Sequence, residues 1–415
     1  MKHVICLAGT CLLLSCGGGG QSANSTASTS ISPFTDPAIP EWTLARRPER
    51  VIGDATGVSL YRPVAGVILS DRIVVANNGT HQVLLLSAAG RLAAAQGRQG
   101  KGPGEYDFIE DLVKVDDETL AVWDPPLARV TVLHIEDDGF EVEKLIAVSP
   151  PRVSLQGTRL VGAVGGQFLL FEERPGELVT SAPPGRAFQT RRDTLTYAFV
   201  DIATGRTTAT WNVPGTEEMA GARQGVWGDE PLLFGRATYA TTTENRAVIA
   251  SSDTFVVTII DPTSRRVPNG LRYSFDFVHP ALSGEVVNAE RERLLAENRE
   301  RWSPSGRLKV DGRPASAIVA EFREELIEAL PARRTLPAFS ALDSDADGNI
   351  WIRAYPLPRA DSVHWVILDP RIGFIGRILL PRDIEILDIG FGRLLVRSKD
   401  ALGTDVLELR QVRRS

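Results

Sequence analysis

Few residues in this chain could do chemistry, and their spacing says which chemistry that would be. The run Asp343-Ser344-Asp345-Ala346-Asp347-Gly348-Asn349 sets carboxylates at alternate positions ahead of a glycine. Calcium loops use that spacing to wrap the cation in oxygens, with Gly allowing the sharp turn. The twelfth position of such a loop, a bidentate Glu, is Ala354 here, and Asn349 leads straight into an apolar run. Asp and Gly also dominate hairpin turns for conformational reasons alone. A plain turn is therefore the preferred reading, and a weak Ca2+ site on Asp343, Asp345 and Asp347 is the alternative.

The second candidate is Lys101, which lies among Gly97, Gly100, Gly102, Pro103 and Gly104. A phosphate-cradling loop needs four residues between its first Gly and the Gly-Lys pair, then Ser or Thr for magnesium. Here two intervene and Gly102 follows the lysine. The stretch cannot form a helix or a central strand and reads as a compact multi-turn connection. Four histidines lie beyond the N-terminal leader: His81, His134, His279 and His364. Three fall at the second strand-like run of separate repeats, so they are expected to be ordinary polar or half-buried side chains rather than a metal set. No Gly-x-Ser-x-Gly elbow, His-Glu-x-x-His or dinucleotide fingerprint occurs.

The elements that must position these residues are β-strands. Apolar runs recur at RIVVAN (72–77), TLAVWD (119–124), QFLLFE (167–172), RAVIAS (246–251), NIWIRA (349–354) and RLLVRS (393–398). Each is short, β-branched or aromatic, and followed by a second run such as QVLLLS or HWVILD. A period in the forties to fifty residues is that of propeller blades. Two intervals are longer. One holds the Pro/Gly-punctuated stretch 173–193 and an irregular stretch at 212–231. The other holds two helical patterns, 281–302 opening with Ser283 as N-cap, and 315–330 with Ile318, Phe322 and Leu326 on one face and Pro331 as the stop. The helical pair is expected to pack across one propeller mouth, with a partner-docking surface as the sharper alternative.

The run GRQGKGPGEY with the following FIEDLVKVDDETLAVWD, and the later ALPARRTLPAFSALDSDADGNIWIRAYP, resemble the six-bladed β-propellers related to NHL repeats, common as envelope lipoproteins of bacteria. The resemblance implies an all-β fold over residues 42–415 with six blades, and the helical patterns place an insertion (about 281–330) between blades four and five. It says little about activity. Related propellers include lactonases and lyases with metal ligands in the central channel, but no motif carries over residue by residue. The expected role is a binding or scaffold protein that takes an unidentified protein or small molecule at a propeller mouth. A channel hydrolase, lactonase or lyase is the alternative, and a sensor propeller without its signalling domains is a third.

The N-terminus carries an address. Lys2 and the apolar residues 4–14 read as an export signal too short to span a bilayer. Leu13-Leu14-Ser15-Cys16 resembles the bacterial lipobox, which implies removal of residues 1–15, lipidation of Cys16 and membrane attachment through that lipid. Gly17 rather than Asp after the cysteine implies outer-membrane sorting by the same analogy, with the body facing the periplasm or cell exterior. Residues 16–41 read as a Gly/Ser/Thr tether spanning about 25–30 Å as a random coil. Of 415 residues, 43% are hydrophobic, enough for a substantial core. With 46 basic and 52 acidic residues there is no positive field for nucleic acid. The only cysteines, Cys6, Cys11 and Cys16, all precede the body, so it has no disulfide, thiol nucleophile or Cys-based metal site.

Overall fold

The computed structural model describes residues 32–137, 139–148, 157–174, 188–223, 226–263, 271–302, 309–310 and 312–414. The leader and Cys16 lie outside the described residues. The packed body begins earlier than Trp42. Phe34 is buried and stacks on Phe255 with ring centroids 5.9 Å apart, and Ile39 is buried as well.

Strands β1 (Glu41–Leu44) and β2 (Arg50–Ile52) precede the first sheet. That sheet is β3 (Pro63–Ile68), β4 (Arg72–Asn77), β5 (Gln82–Ser87) and β6 (Leu92–Gln96), antiparallel in sequence order. The next sheet repeats the pattern with β7 (Asp111–Lys114), β8 (Thr119–Asp124), β9 (Arg129–Ile135) and β10 (Phe140–Ala147). A third holds β11 (Thr158–Val164), β12 (Phe168–Glu173), β13 (Phe188–Asp201), β14 (Thr207–Arg223) and β15 (Val226–Pro231). A fourth holds β16 (Thr238–Thr243), β17 (Arg246–Ser251), β18 (Val256–Ile260) and β19 (Leu271–Ser274). Helix α1 (Gly284–Arg301), a small hairpin β20 (Lys309–Val310) and β21 (Arg313–Pro314), and helix α2 (Ala315–Ala329) follow. The chain finishes with β22 (Ala341–Ser344), β23 (Ile350–Arg353), β24 (Ser362–Asp369) and β25 (Gly373–Pro381), then β26 (Glu385–Gly390), β27 (Arg393–Lys399) and β28 (Asp405–Arg413).

The recurring runs of the sequence are the second strands β4, β8, β12, β17, β23 and β27, almost wholly buried, and their partners are the third strands. Burial on both faces explains why those runs are continuously apolar rather than alternating. The first strands of successive sheets are neighbours: β3 with β7, β7 with β11, β11 with β16, β16 with β22, and β26 back to β3. Radially stacked antiparallel sheets around a shared axis make a β-propeller.

A local device recurs in three sheets. The residue ending or following the second strand captures the loop that enters the first strand. Asn77 Oδ1 accepts from Tyr61 N (2.7 Å), Asp124 Oδ2 from Asp107 N (2.8 Å) and Ser252 Oγ from Ala237 N (2.9 Å). The glycine-rich stretch between the first two sheets is a turn, as its composition implies. The Glu105 carboxylate accepts from Gly102 N (2.8 Å) and Arg98 Nε (2.8 Å). Gly97 has φ 110°, and a Cβ there would meet the Tyr106 ring at 2.7 Å. Only glycine fits.

Of the stretch 212–231, the described residues 212–223 and 226–231 are regular strand. They are the second half of β14 plus β15, a hairpin extension of the third sheet. Pro214-Gly215 and a register shift between Arg192 and Thr194 break the alternation that would have announced it. The helices form where expected, with Ser283 Oγ accepting from Val286 N (3.3 Å). The apolar face of α2 buries Phe322, Leu326 and Ile327 against Met219, Leu233 and Phe234. Helix α1 packs Val286, Val287, Leu294 and Leu295 against the same cluster, and ion pairs add to its hold: Glu290 to Arg382 (3.9 Å), Arg359 to Glu285 (2.7 Å), and Arg299 to Glu324 (2.7 Å).

The ends of the chain close the ring. β2 pairs with β28 (Arg50 with Leu409, Ile52 with Leu407), giving the last sheet its outer strand. β1 adds a second closure. Thr43 and Leu44 pair antiparallel with Arg413 and Val412, while Glu41 and Trp42 pair parallel with Arg377 and Ile378 of β25. One short strand thus stitches two neighbouring sheets together. The Trp42 indole is buried over Gly376, where a Cβ would come within 2.4 Å of the ring.

A chain starting at Arg62 loses no complete sheet yet should be less stable by more than the roughly 3–5 kcal/mol of burying Trp42 alone, and should aggregate through its open edges. A chain starting at Ser32 should melt like the full protein. Equal melting temperatures and monomeric behaviour for both would show that the ring does not depend on these strands.

Candidate functional site

Three carboxylates on first strands of different sheets face the axis: Asp111 on β7, Asp343 on β22 and Asp388 on β26. Each is half-buried. Two of them tie a sheet to its neighbour. Asp388 Oδ2 accepts from Ile68 N (2.6 Å) of β3, and Asp111 Oδ2 from Leu160 N (2.9 Å) of β11. Asp343 Oδ1 accepts from Ser344 N (2.8 Å), while Ser344 Oγ donates to Thr242 O (2.6 Å) across to the fourth sheet.

Burial pushes Asp343 and Asp111 up to about 7, and Asp388 up to about 6. Proximity to Asp388 adds to the rise at Asp343, and Arg159 opposes it at both Asp343 and Asp111. Lys114 acts in the same lowering sense on Asp388. Placing charge in a confined channel costs desolvation energy unless it is paired and hydrogen-bonded. The channel therefore presents carboxylates that change protonation near neutrality, with Arg159 and Lys114 as the cationic counterweight.

Of the Asp-rich run, only Asp343 belongs to this channel. Asp345 turns away: its Oδ1 accepts from Asp347 N (3.0 Å) and Asn349 N (2.9 Å), and its Oδ2 from Asn349 Nδ2 (2.9 Å) and Trp351 Nε1 (3.0 Å). Asp347 pairs with Arg414 (2.7 Å). That guanidinium lies 4.9 Å over the Trp42 ring, which meets Trp351 edge-on with centroids 6.0 Å apart. The run is thus divided: one carboxylate for the channel, one for a turn, and one for the joint where both chain ends meet. Among the described residues, no group of three or more His, Cys, Asp or Glu is placed to hold a metal ion.

The histidines stay apart. His81 ends a turn at φ 56°, His134 sits on β9, and His279 Nδ1 lies 2.7 Å from Leu336 O. His364 sits on β24, where burial and Arg377 lower its pKa. Asp111, Asp388 and Arg159 were not singled out by sequence. Asp111 and Asp388 share a signal with Asp343: an apolar or acidic residue then Asp, a short step upstream of a second-strand run.

No family model and no curated protein matches the chain. Among solved structures it is similar to a Bacteroides fragilis protein that carries only the name of an exported protein (TM-score 0.46, 11% identity, covering 93% of this chain and 98% of that one). It is also similar to a DUF4221 family member of Bacteroides vulgatus (0.47, 10%, covering 91% and 99%). A third likeness is to the WD40 domain of Toxoplasma gondii coronin (0.40, 9%, covering 91% and 88%). None of the three bears on function.

Removing Asp345 should cost stability with or without metal. Asp345→Ala should lose about 1.5–3 kcal/mol, the value of hydrogen bonds to a charged group, and millimolar Ca2+ should not shift the melting temperature of either protein. A Ca2+-dependent gain confined to the unmodified protein would assign the run to a cation instead. The channel carboxylates give a pH signature of the opposite sense to the usual carboxylate. Their folded pKa values are raised from 3.8 to about 6–7, so the native state binds more protons, and their contribution falls as pH rises through that window. Asp343→Asn should therefore stabilise the protein at pH above about 7 and lose the advantage toward pH 4. A gain independent of pH would mean that Asp343 is not buried as charge.

Proposed function

We propose that this protein is a lipid-anchored, cell-envelope β-propeller that binds a small polar ligand in its central channel. Counting β26, β27, β28 and β2 as one blade gives six blades, with α1 and α2 as an insertion between the fourth and fifth. The observation that carries the binding reading is the channel itself. Asp111, Asp343 and Asp388 come from three blades, and Arg159 and Lys114 add opposite charge beside them. Acidic groups of raised pKa gathered from three blades beside opposite charge are the kind of cluster that marks a candidate ligand site. Paired acidic and basic side chains of this kind suit recognition of a polar ligand, and recognition is the role proposed for them.

The anchor reading rests on the Leu13-Leu14-Ser15-Cys16 sequence and on the glycine- and serine-rich stretch after it. Several acyl chains on one cysteine hold a protein stably, whereas one is marginal. A position at the outer membrane, facing the periplasm or the cell exterior, follows from Gly17.

Native mass spectrometry of the protein purified from an envelope extract should show a small molecule retained by the unmodified chain. It should be lost from a variant carrying Asp111→Asn, Asp343→Asn and Asp388→Asn together, which preserves the backbone-accepting oxygens. Equal retention would remove the channel as the binding site. In the same cells Cys16→Ser should release the protein from the membrane fraction or block its processing, and unchanged partitioning would sink the anchor.

A further inference from the structure

The turn between β26 and β27 is built against the preference of its own backbone. Gly390 pairs with Arg393, so Phe391 and Gly392 form a two-residue hairpin loop, with φ of 53° and 70°. Positive φ at both positions selects Asn-Gly or Gly-Gly, and a bulky side chain there is an outlier. Strain of this kind clusters at binding and active sites. The Phe391 ring gains little packing in exchange. It is 46% exposed and joins none of the hydrophobic clusters among the described residues.

A narrow cleft runs beside this turn, bordered by Phe391, Gly392, Trp42, Asp347 and Arg414. Its volume, about 10 Å3, has room for one water, so a ligand must lie across it rather than in it. A Cβ added at Gly392, or at Gly348 in the neighbouring turn, would meet nothing within 4 Å, and the surface is open at both turns. Asp347 and Arg414 pair at 2.7 Å while more than half of each side chain stays exposed. The contact uses one carboxylate oxygen and one guanidinium nitrogen, which leaves an acceptor and several donors facing water. The cation–π contact of Arg414 with Trp42 (4.9 Å) holds the pair in place.

A lone exposed ring beside a carboxylate and a guanidinium is too small and too polar a surface for a bilayer or for the apolar face of another protein. It has the two halves that a sugar needs. The negative π face of the phenyl ring suits the partly positive C–H face of a pyranose, and the ion pair offers charge-assisted hydrogen bonds to the hydroxyls at its edge. We propose that this rim binds a glycan, with one pyranose ring lying on Phe391 and its hydroxyls on Asp347 and Arg414. The site shares no residue with the channel, so it stands whether or not the channel binds a ligand.

Titration calorimetry on the purified protein, in a detergent without sugar headgroups, with maltotriose, cellotriose and tri-N-acetylchitotriose tests this. At least one of these sugars should bind at millimolar concentrations or below. Phe391→Gly suits the positive φ; it should weaken binding about tenfold or more with no fall in melting temperature, whereas Phe391→Trp should keep the binding. Asp347→Asn retains one acceptor oxygen but loses the charge, and should weaken binding severalfold. No binding of any of these sugars, binding indifferent to Phe391→Gly or to Asp347→Asn, or a melting temperature lowered by Phe391→Gly would overturn the assignment. So would retention of the Cys16→Ser protein on phosphatidylglycerol vesicles that Phe391→Gly abolishes, since the ring would then be a membrane contact.

Discussion

The structure depends on what happens to the edges of its last two sheets. Every other sheet is continuous in sequence, but the outer edges of β25 and β28 would face solvent with unpaired N–H and C=O groups. A ring of sheets open at one joint is both an aggregation template and the place where the ring can unzip. The strand Glu41–Leu44 resolves this by pairing on both of its own edges, parallel to one sheet and antiparallel to the other. Opening the ring therefore means breaking a sheet rather than sliding two sheets apart.

Side chains concentrate on the same joint. Trp42 reaches it from the N-terminal strand, Arg414 from the end of the chain, and Trp351 with Asp345 and Asp347 from the sheet between. Ala346 N donates to Ile389 O (3.1 Å), so the backbone of the Asp-rich turn also crosses to the last sheet. Aromatic edge contact, cation–π contact and a charge-assisted hydrogen bond each contribute modestly alone. Here they share members, so none can be lost without disturbing the others. An Asp-Gly turn that looks like an ion loop by spacing is occupied by this joint.

Much of the fold was legible in the sequence because burial on both faces leaves a continuous apolar run, and such runs mark the second strands and several of the third, though not β28. The helices were legible for a different reason: Ser283 and Pro331 bound them, and Phe322 and Leu326 fall on one face. The hairpin of β14 and β15 was not, since it is covered by α2 and by the ion pairs of Arg191 and Arg323 rather than by an alternating core. The double pairing of β1 was also hidden, because a four-residue strand carries no period and its partners lie at the far end of the chain. The channel carboxylates were read only in part. Asp343 stood out inside a dense run, whereas Asp111 follows Glu110 and Asp388 shares β26 with Glu385, neither in a spacing that announces a site, and only the ring brings them to one axis.

The pairing of Thr43 with Arg413 has a temporal side. The strand made first is among the last to find its partner, because β28 must be complete before β1 can be held on that edge. Contacts of such long sequence separation are slow to form. Until then β1 and β2 wait unpaired while the intervening sheets condense, and the growing chain carries exposed edges at both ends of a partial ring. Closure of the ring accordingly waits on a contact between segments far apart in the sequence, Glu41–Leu44 and Asp405–Arg413.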